Sequence, residues 1–132
     1  MQKYKHMLSE DVAIWNRFLA RHKPQYLSVK YDIKVGDGMI IDLSWSNYIQ
    51  KMAKDLSQKR IDVVAETEET TLIIEVKSFI TIGVIGQVLG YVELYKRQFN
   101  PSKPLVPMVI TNKITPDMQF LYDKFNIISY LV

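Results

Sequence analysis

Two apolar runs rich in β-branched residues, 60–65 (RIDVVA) and 71–77 (TLIIEVK), flank a short polar segment at 66–70 (ETEET). That pattern reads as a β-hairpin. Both runs carry charge: Asp62 on the first, Glu75 and Lys77 at the end of the second. A charge buried in a hairpin core is costly unless it has a partner or a task. A helix is predicted next, over 82–99, with Gln87 and Tyr91 one turn apart on it. A hairpin with three charges, followed by a helix with two further polar groups, constrains this chain more than any other feature.

The remaining elements follow from periodicity and punctuation. Ser9 is a plausible N-cap, with Glu10 and Asp11 in the first helical turn, where the helix dipole favours acids. Leu8, Val12, Trp15 and Leu19 recur at helical spacing, and the helix is predicted to end near His22, before Pro24. Residues 25–35 alternate with period two and read as a half-buried strand. Gly36-Asp37-Gly38 is a turn signal, and 39–43 is expected to return as a strand. Trp45, Tyr48, Ile49, Met52 and Leu56 give 44–58 a helical apolar face, expected to be core. Gly86 and Gly90 fall on one side of the 82–99 helix and are expected to face the sheet. Residues 105–111 read as a buried strand. Thr115 as N-cap and Pro116 at the first helical position open a helix to about Phe125, and 126–132 is a closing strand. The predicted order α-β-(β)-α-β-β-α-β-α-β describes one domain over 1–132, an α/β fold with a mixed sheet covered by helices.

Composition narrows the function. The absence of cysteine removes disulfides and thiolate metal sites and fits a reducing, intracellular (cytoplasmic) setting. With His6 and His22 as its two histidines, both expected to be solvated, the chain is a poor zinc binder. The net charge of +3 is compatible with nucleic acid. No apolar run approaches the ~20 residues a membrane helix needs. The polar, basic N-terminus lacks the apolar core of a signal peptide and is expected to fray.

Side chains alternate along a strand, so Glu75 and Lys77 share one face and Val76 points to the other. In a favourable hairpin register, Asp62 joins them. Two carboxylates, the Val76 carbonyl and waters make an oxygen site suited to Mg2+ or Mn2+. Such an ion polarises a phosphate and lowers the pKa of a water, while Lys77 would orient that water or stabilise transition-state charge. Singly, each residue has an ordinary explanation. Asp62 would pair with Arg60 or Lys77, Glu75 and Lys77 with each other, and Gln87 and Tyr91 would form a helix face. Their joint occurrence favours a site.

An acid on one strand, Glu-Val-Lys at the end of the next and then a helix resembles the PD-(D/E)XK nuclease superfamily. That superfamily includes restriction endonucleases, Holliday-junction resolvases and RecB-type exonucleases. Asp62 matches its first acid, and Glu75-Val76-Lys77 its second half. Gln87 and Tyr91 match the Gln-xxx-Tyr element of the RecB-like branch. The resemblance implies a restriction-endonuclease-like fold, Mg2+ or Mn2+ on Asp62, Glu75 and Val76, a water-assisting Lys77, and a site ordered by Gln87 and Tyr91. It also implies a metal-linked acid on the first helix, for which Glu10 is the best match and Asp11 the alternative. The chain departs from the pattern at Ile61, where proline is common, and in the inserted helix at 45–58.

The expected function is metal-dependent hydrolysis of DNA phosphodiesters, structure-selective or non-specific. Lys51, Lys54, Lys59, Arg60, Lys96 and Arg97 would together track the DNA backbone. A chain of this length has little room for a target-recognition domain, so a homodimer or a protein partner supplying specificity is expected. The alternative is a nucleic-acid-binding module that keeps the fold without cutting. Phosphoryl transfer to a nucleotide lacks a Gly-rich phosphate loop.

Overall fold

The structure is a computed structural model describing residues 7–132; the expectations for His6 and for a frayed N-terminus fall largely on 1–6, outside the described residues. Helix α1 spans Ser9–His22 and closes at Lys23 in a left-handed conformation just before Pro24. Leu8, not Ser9, takes the N-cap position, without a side-chain cap. The buried stripe of α1 is also rotated from the predicted one. Asp11, Ile14, Trp15 and Phe18 face inward, and Leu8 is exposed.

Strand β1 is Ser28–Val35, starting three residues later than expected. The Gly36 and Gly38 turn has φ of +83° and +78°, a region that favours glycine. The chain does not return as a strand at 39–43. Instead the Met39 amide donates to Ser57 Oγ at 2.8 Å, and Ile40 is left 94% exposed. A Cβ on Gly38 would lie 2.5 Å from Ser57 Oγ and 3.1 Å from the Lys54 carbonyl. Gly38→Ala is therefore expected to cost roughly 1–3 kcal/mol, read as a lower urea midpoint with an unchanged m-value.

Helix α2, Asn47–Ser57, is capped by Ser46 Oγ, which accepts from the Ile49 amide at 3.2 Å. None of its residues is buried, contrary to the core role expected of its apolar face, and Tyr48 is 73% exposed. Polar contacts tie this region to the body. Gln58 Nε2 donates to the Gly36 carbonyl at 2.6 Å, and Arg60 reaches the Asp55 carbonyl at 3.3 Å.

The hairpin forms as predicted from β2, Lys59–Glu66, and β3, Thr71–Lys77, with Thr67 Oγ1 accepting from the Thr70 amide across the turn. Helix α3 is Ile82–Phe99 and β4 is Leu105–Thr111. Helix α4, Pro116–Lys124, is capped by Thr115 Oγ1, and β5 is Ile128–Leu131.

The five strands form one sheet in the order β1-β2-β3-β4-β5. The first three are antiparallel neighbours, while β4 runs parallel to β3 and β5 parallel to β4. Helix α1 packs on one face, where Ile14, Trp15 and Phe18 meet Val63, Ile74, Val76 and Ile110. On the other face α3 and α4 pack against Val109, Val64 and Ile73, as crossovers of one hand between successive parallel strands demand. Burying each Ile or Val of these layers stabilises the fold by roughly 1.5–3 kcal/mol. Gly86 and Gly90 do not face the sheet. A Cβ added at either would meet nothing within 4 Å.

Candidate active site

The β2–β3 pairing ends at Val63↔Ile74. One residue further on, the same register would set Asp62 opposite Glu75. There the Asp62 carboxylate takes the place of a ladder carbonyl: its Oδ2 accepts from the Val76 amide at 2.9 Å. The amide and carbonyl of one strand residue project to the same side, so the Val76 carbonyl also turns toward β2. Alternation on β3 sends Val76 into the α1 layer and Ile73 into the layer beneath α3, which puts Glu75 and Lys77 on the α3 side.

Asp62, Glu75, Lys77, Gln87 and Tyr91 line one polar cleft of about 340 Å³, together with Leu56, Gln58, Lys59 and Arg60 from the end of α2 and the start of β2. A larger cavity, about 480 Å³, lies between the 36–39 turn and α3; it shares Lys59 with the cleft but is lined by neither Asp62 nor Glu75. On α3, Gln87 Nε2 donates to Tyr91 Oη at 3.1 Å. Burial, with Glu75 nearby, pushes the Tyr91 phenol up to about 12, so it stays protonated. Arg60 is engaged elsewhere, with Asp32 at 3.1 Å, and does not neutralise Asp62. Among the described residues Lys77 forms no close ion pair, and it lines the cleft.

Glu75 is the electrostatic centre of the cleft. It is 2% exposed, and its Oε2 is buried without a hydrogen-bond partner. Burial first, and then Asp62 beside it, push its carboxyl well above the ordinary carboxylate range, while Lys77 opposes the shift. Two carboxylates held together suit a hard cation. Among the described residues, no group of three or more Asp, Glu, His or Cys side chains is placed to hold a metal. The groups that could hold a cation are therefore Asp62, Glu75 and the Val76 carbonyl. Such a set would suit Mg2+, which keeps several waters and uses one or two carboxylates plus substrate phosphates.

Of the two acids considered on α1, Glu10 is exposed and Asp11 is the one turned inward, 5% exposed. Asp11 Oδ1 accepts from the Ser78 amide at 3.0 Å, which pins the backbone immediately after Lys77. Burial raises its pKa, offset in part by that amide and by Lys77. The signal was present in the sequence: Asp11, Ile14, Trp15 and Phe18 form an i, i+3, i+4, i+7 stripe. Asp11→Asn is expected to cost cleavage roughly 10–100-fold, as for residues that orient a site from behind, and Glu10→Gln less than about twofold. Equal losses in both variants would refute this placement.

Beside the cleft, α2 and the segment before it expose Ile40, Leu43, Tyr48, Ile49 and Met52. Lys51, Lys54 and Lys59 lie on the same part of the chain, and all three are exposed. No described helix is long and apolar enough to cross a membrane.

Neither a protein-family model nor a curated protein sequence matches the chain. Among solved structures, it superposes on a repair endonuclease from Pyrococcus abyssi with a TM-score of 0.54 and 12% sequence identity. The match covers 96% of this chain and 47% of the other, so the chain spans about half the length of that protein. At this identity the likeness is one of fold. The α/β architecture, with its five-stranded mixed sheet flanked by four helices, is restriction-endonuclease-like.

Proposed function

We propose that the chain is a metal-dependent nuclease that hydrolyses DNA phosphodiester bonds. The observation that carries this reading is the pairing of two acids: the buried carboxyl of Glu75 is set beside Asp62, with Lys77, in a polar cleft. Two carboxylates this close repel each other when both are ionised, and a bound cation removes that cost. Asp62, Glu75 and the Val76 carbonyl would hold Mg2+ or Mn2+, which polarises the scissile phosphate and makes a bound water acidic. Lys77 would orient the attacking water and stabilise charge developing on the phosphate. Gln87 and Tyr91 would fix the wall of the cleft, and Asp11 the strand end. The fold shared with a repair endonuclease and the basic residues of α2 beside the cleft favour DNA as substrate.

A non-cutting nucleic-acid-binding module is the second reading, favoured by the small number of carboxylates that line the cleft. Cleavage assays separate the two. Purified protein is incubated with single-stranded, duplex, flapped and four-way-junction DNA in Mg2+, Mn2+ or EDTA. Cutting in either metal but not in EDTA, lost in Glu75→Ala and Lys77→Ala, supports the nuclease. DNA binding without cutting on any substrate, unchanged in both variants, would transfer the assignment to the binding module. A homodimer or a specificity-giving partner is part of the proposal only if the wild-type chain cuts without structural preference.

A further inference from the structure

Among the described residues, two buried side-chain polar atoms have no hydrogen-bond partner: Glu75 Oε2 and Tyr122 Oη. Tyr122 comes from α4 and is 0% exposed, its ring packed with Val84, Ile85, Val88 and Val109. Val109 is the residue paired with Glu75 across the β3–β4 ladder. Both orphaned groups therefore lie in the layer under α3 and α4: Glu75 on β3, and Tyr122 in the cluster that holds the ladder partner of Glu75. They are also complementary. A carboxyl oxygen that carries no proton accepts, and a phenol offers one O–H. Burial, with Glu75 nearby, pushes the Tyr122 phenol up to about 12, so it keeps the proton it would donate.

We propose that Tyr122 is a positioning residue for Glu75, its phenol serving Oε2 directly after a small side-chain rotation or through one enclosed water. An apolar layer needs no hydroxyl, and leaving one buried and unserved is costly. A donor behind the carboxylate would fix which oxygen turns to the cleft and favour its charged form. For catalysis the inference rests on the cleft being the hydrolytic site; the contact itself does not.

The test compares wild type, Tyr122→Phe, Glu75→Ala and the double variant. Tyr122→Phe keeps the ring and so the packing. Mn2+ binding by calorimetry is expected to weaken roughly 10–100-fold in Tyr122→Phe, the usual effect of losing a partner that orients a ligand. With DNA substrate, kcat is expected to fall while KM holds. In urea unfolding without metal, the two substitutions are expected to couple by more than about fivefold in the unfolding constant. If wild type binds Mn2+ and Tyr122→Phe binds it equally well, the proposal is overturned while the cleft keeps its function. If wild type binds no Mn2+, the nuclease reading falls and the unfolding cycle decides. Coupling then supports the Tyr122–Glu75 contact, and additivity overturns it.

Discussion

Glu75→Gln is expected to abolish cleavage and, in the same stroke, to make the metal-free protein more stable. On the proposed function, the loss follows from removing a group that would hold the cation at the reacting phosphate: several kcal/mol of transition-state stabilisation, on the order of 10³-fold in rate. The gain follows from linkage. Burial and Asp62 hold the Glu75 carboxyl far above its ordinary value of 4.5, toward about 10. A carboxyl whose pKa is raised on folding binds its proton more tightly in the native state. Its contribution is complete below 4.5 and is lost as pH climbs toward the folded value. The metal-free wild type should therefore become steadily less stable from mildly acidic to alkaline pH. Glutamine carries no charge to desolvate, so the variant should show a flatter profile. At pH 8 a gain of about 2 kcal/mol would appear as a Tm roughly 5–10 °C above wild type. Saturating Mg2+ should raise the Tm of wild type and leave the variant unmoved, because only wild type retains the ligand. Thermal scans in EDTA and in Mg2+ across pH check each part. A variant less stable than wild type at pH 8 in EDTA would show that Glu75 is satisfied in a way the geometry does not reveal.

Residues 60–111 were legible from sequence because local and non-local preferences agree there. Strands β2 and β3 are β-branched runs around a Thr-rich turn, and α3 and β4 each carry one unbroken pattern. Alternation put Glu75 and Lys77 on one face, and helical spacing put Gln87 beside Tyr91; Asp62 joins them only through the hairpin register. Other parts failed for identifiable reasons. Gly36-Asp37-Gly38 is a real turn, but a turn signal is the same whether the chain returns as a strand or enters a loop. Here the partner of β1 is β2, beyond the whole of α2. The periodicity of α2 was correct as a helix signal, yet periodicity does not say whether an apolar stripe meets the core. In α1, two overlapping stripes share Trp15, and spacing alone does not say which of them is buried. The acid was the informative residue, since a carboxylate within a buried stripe is retained only where a donor meets it, as the Ser78 amide does. Tyr122 carries no sequence signal of its own. Its relation to Glu75 arises from the β3–β4 register, which only the folded sheet displays.

Lys77→Met is expected to share the catalytic loss of Glu75→Gln and to oppose it in stability. Removing the ammonium should lower kcat on the order of 10²–10³-fold, the usual cost of a group aimed at developing charge. DNA affinity, measured with Ca2+ in place of Mg2+, should change little, because one lysine contributes at most one phosphate contact and a salt slope of about 1. Lys77 also holds the Glu75 pKa below where burial and Asp62 alone would put it. Without it the carboxyl rises further, so the decline that starts above 4.5 should run on to a higher pH at the same slope, leaving the metal-free variant less stable than wild type at alkaline pH. An ion pair with no role in the cleft predicts something else. Surface pairs contribute about 0–1 kcal/mol, neither partner would affect cleavage, and both neutralisations would shift stability in the same direction. Opposite stability shifts combined with parallel losses of activity would mark Glu75 and Lys77 as members of one strained site. Parallel stability shifts with activity intact would return both residues to the ordinary surface of a sheet.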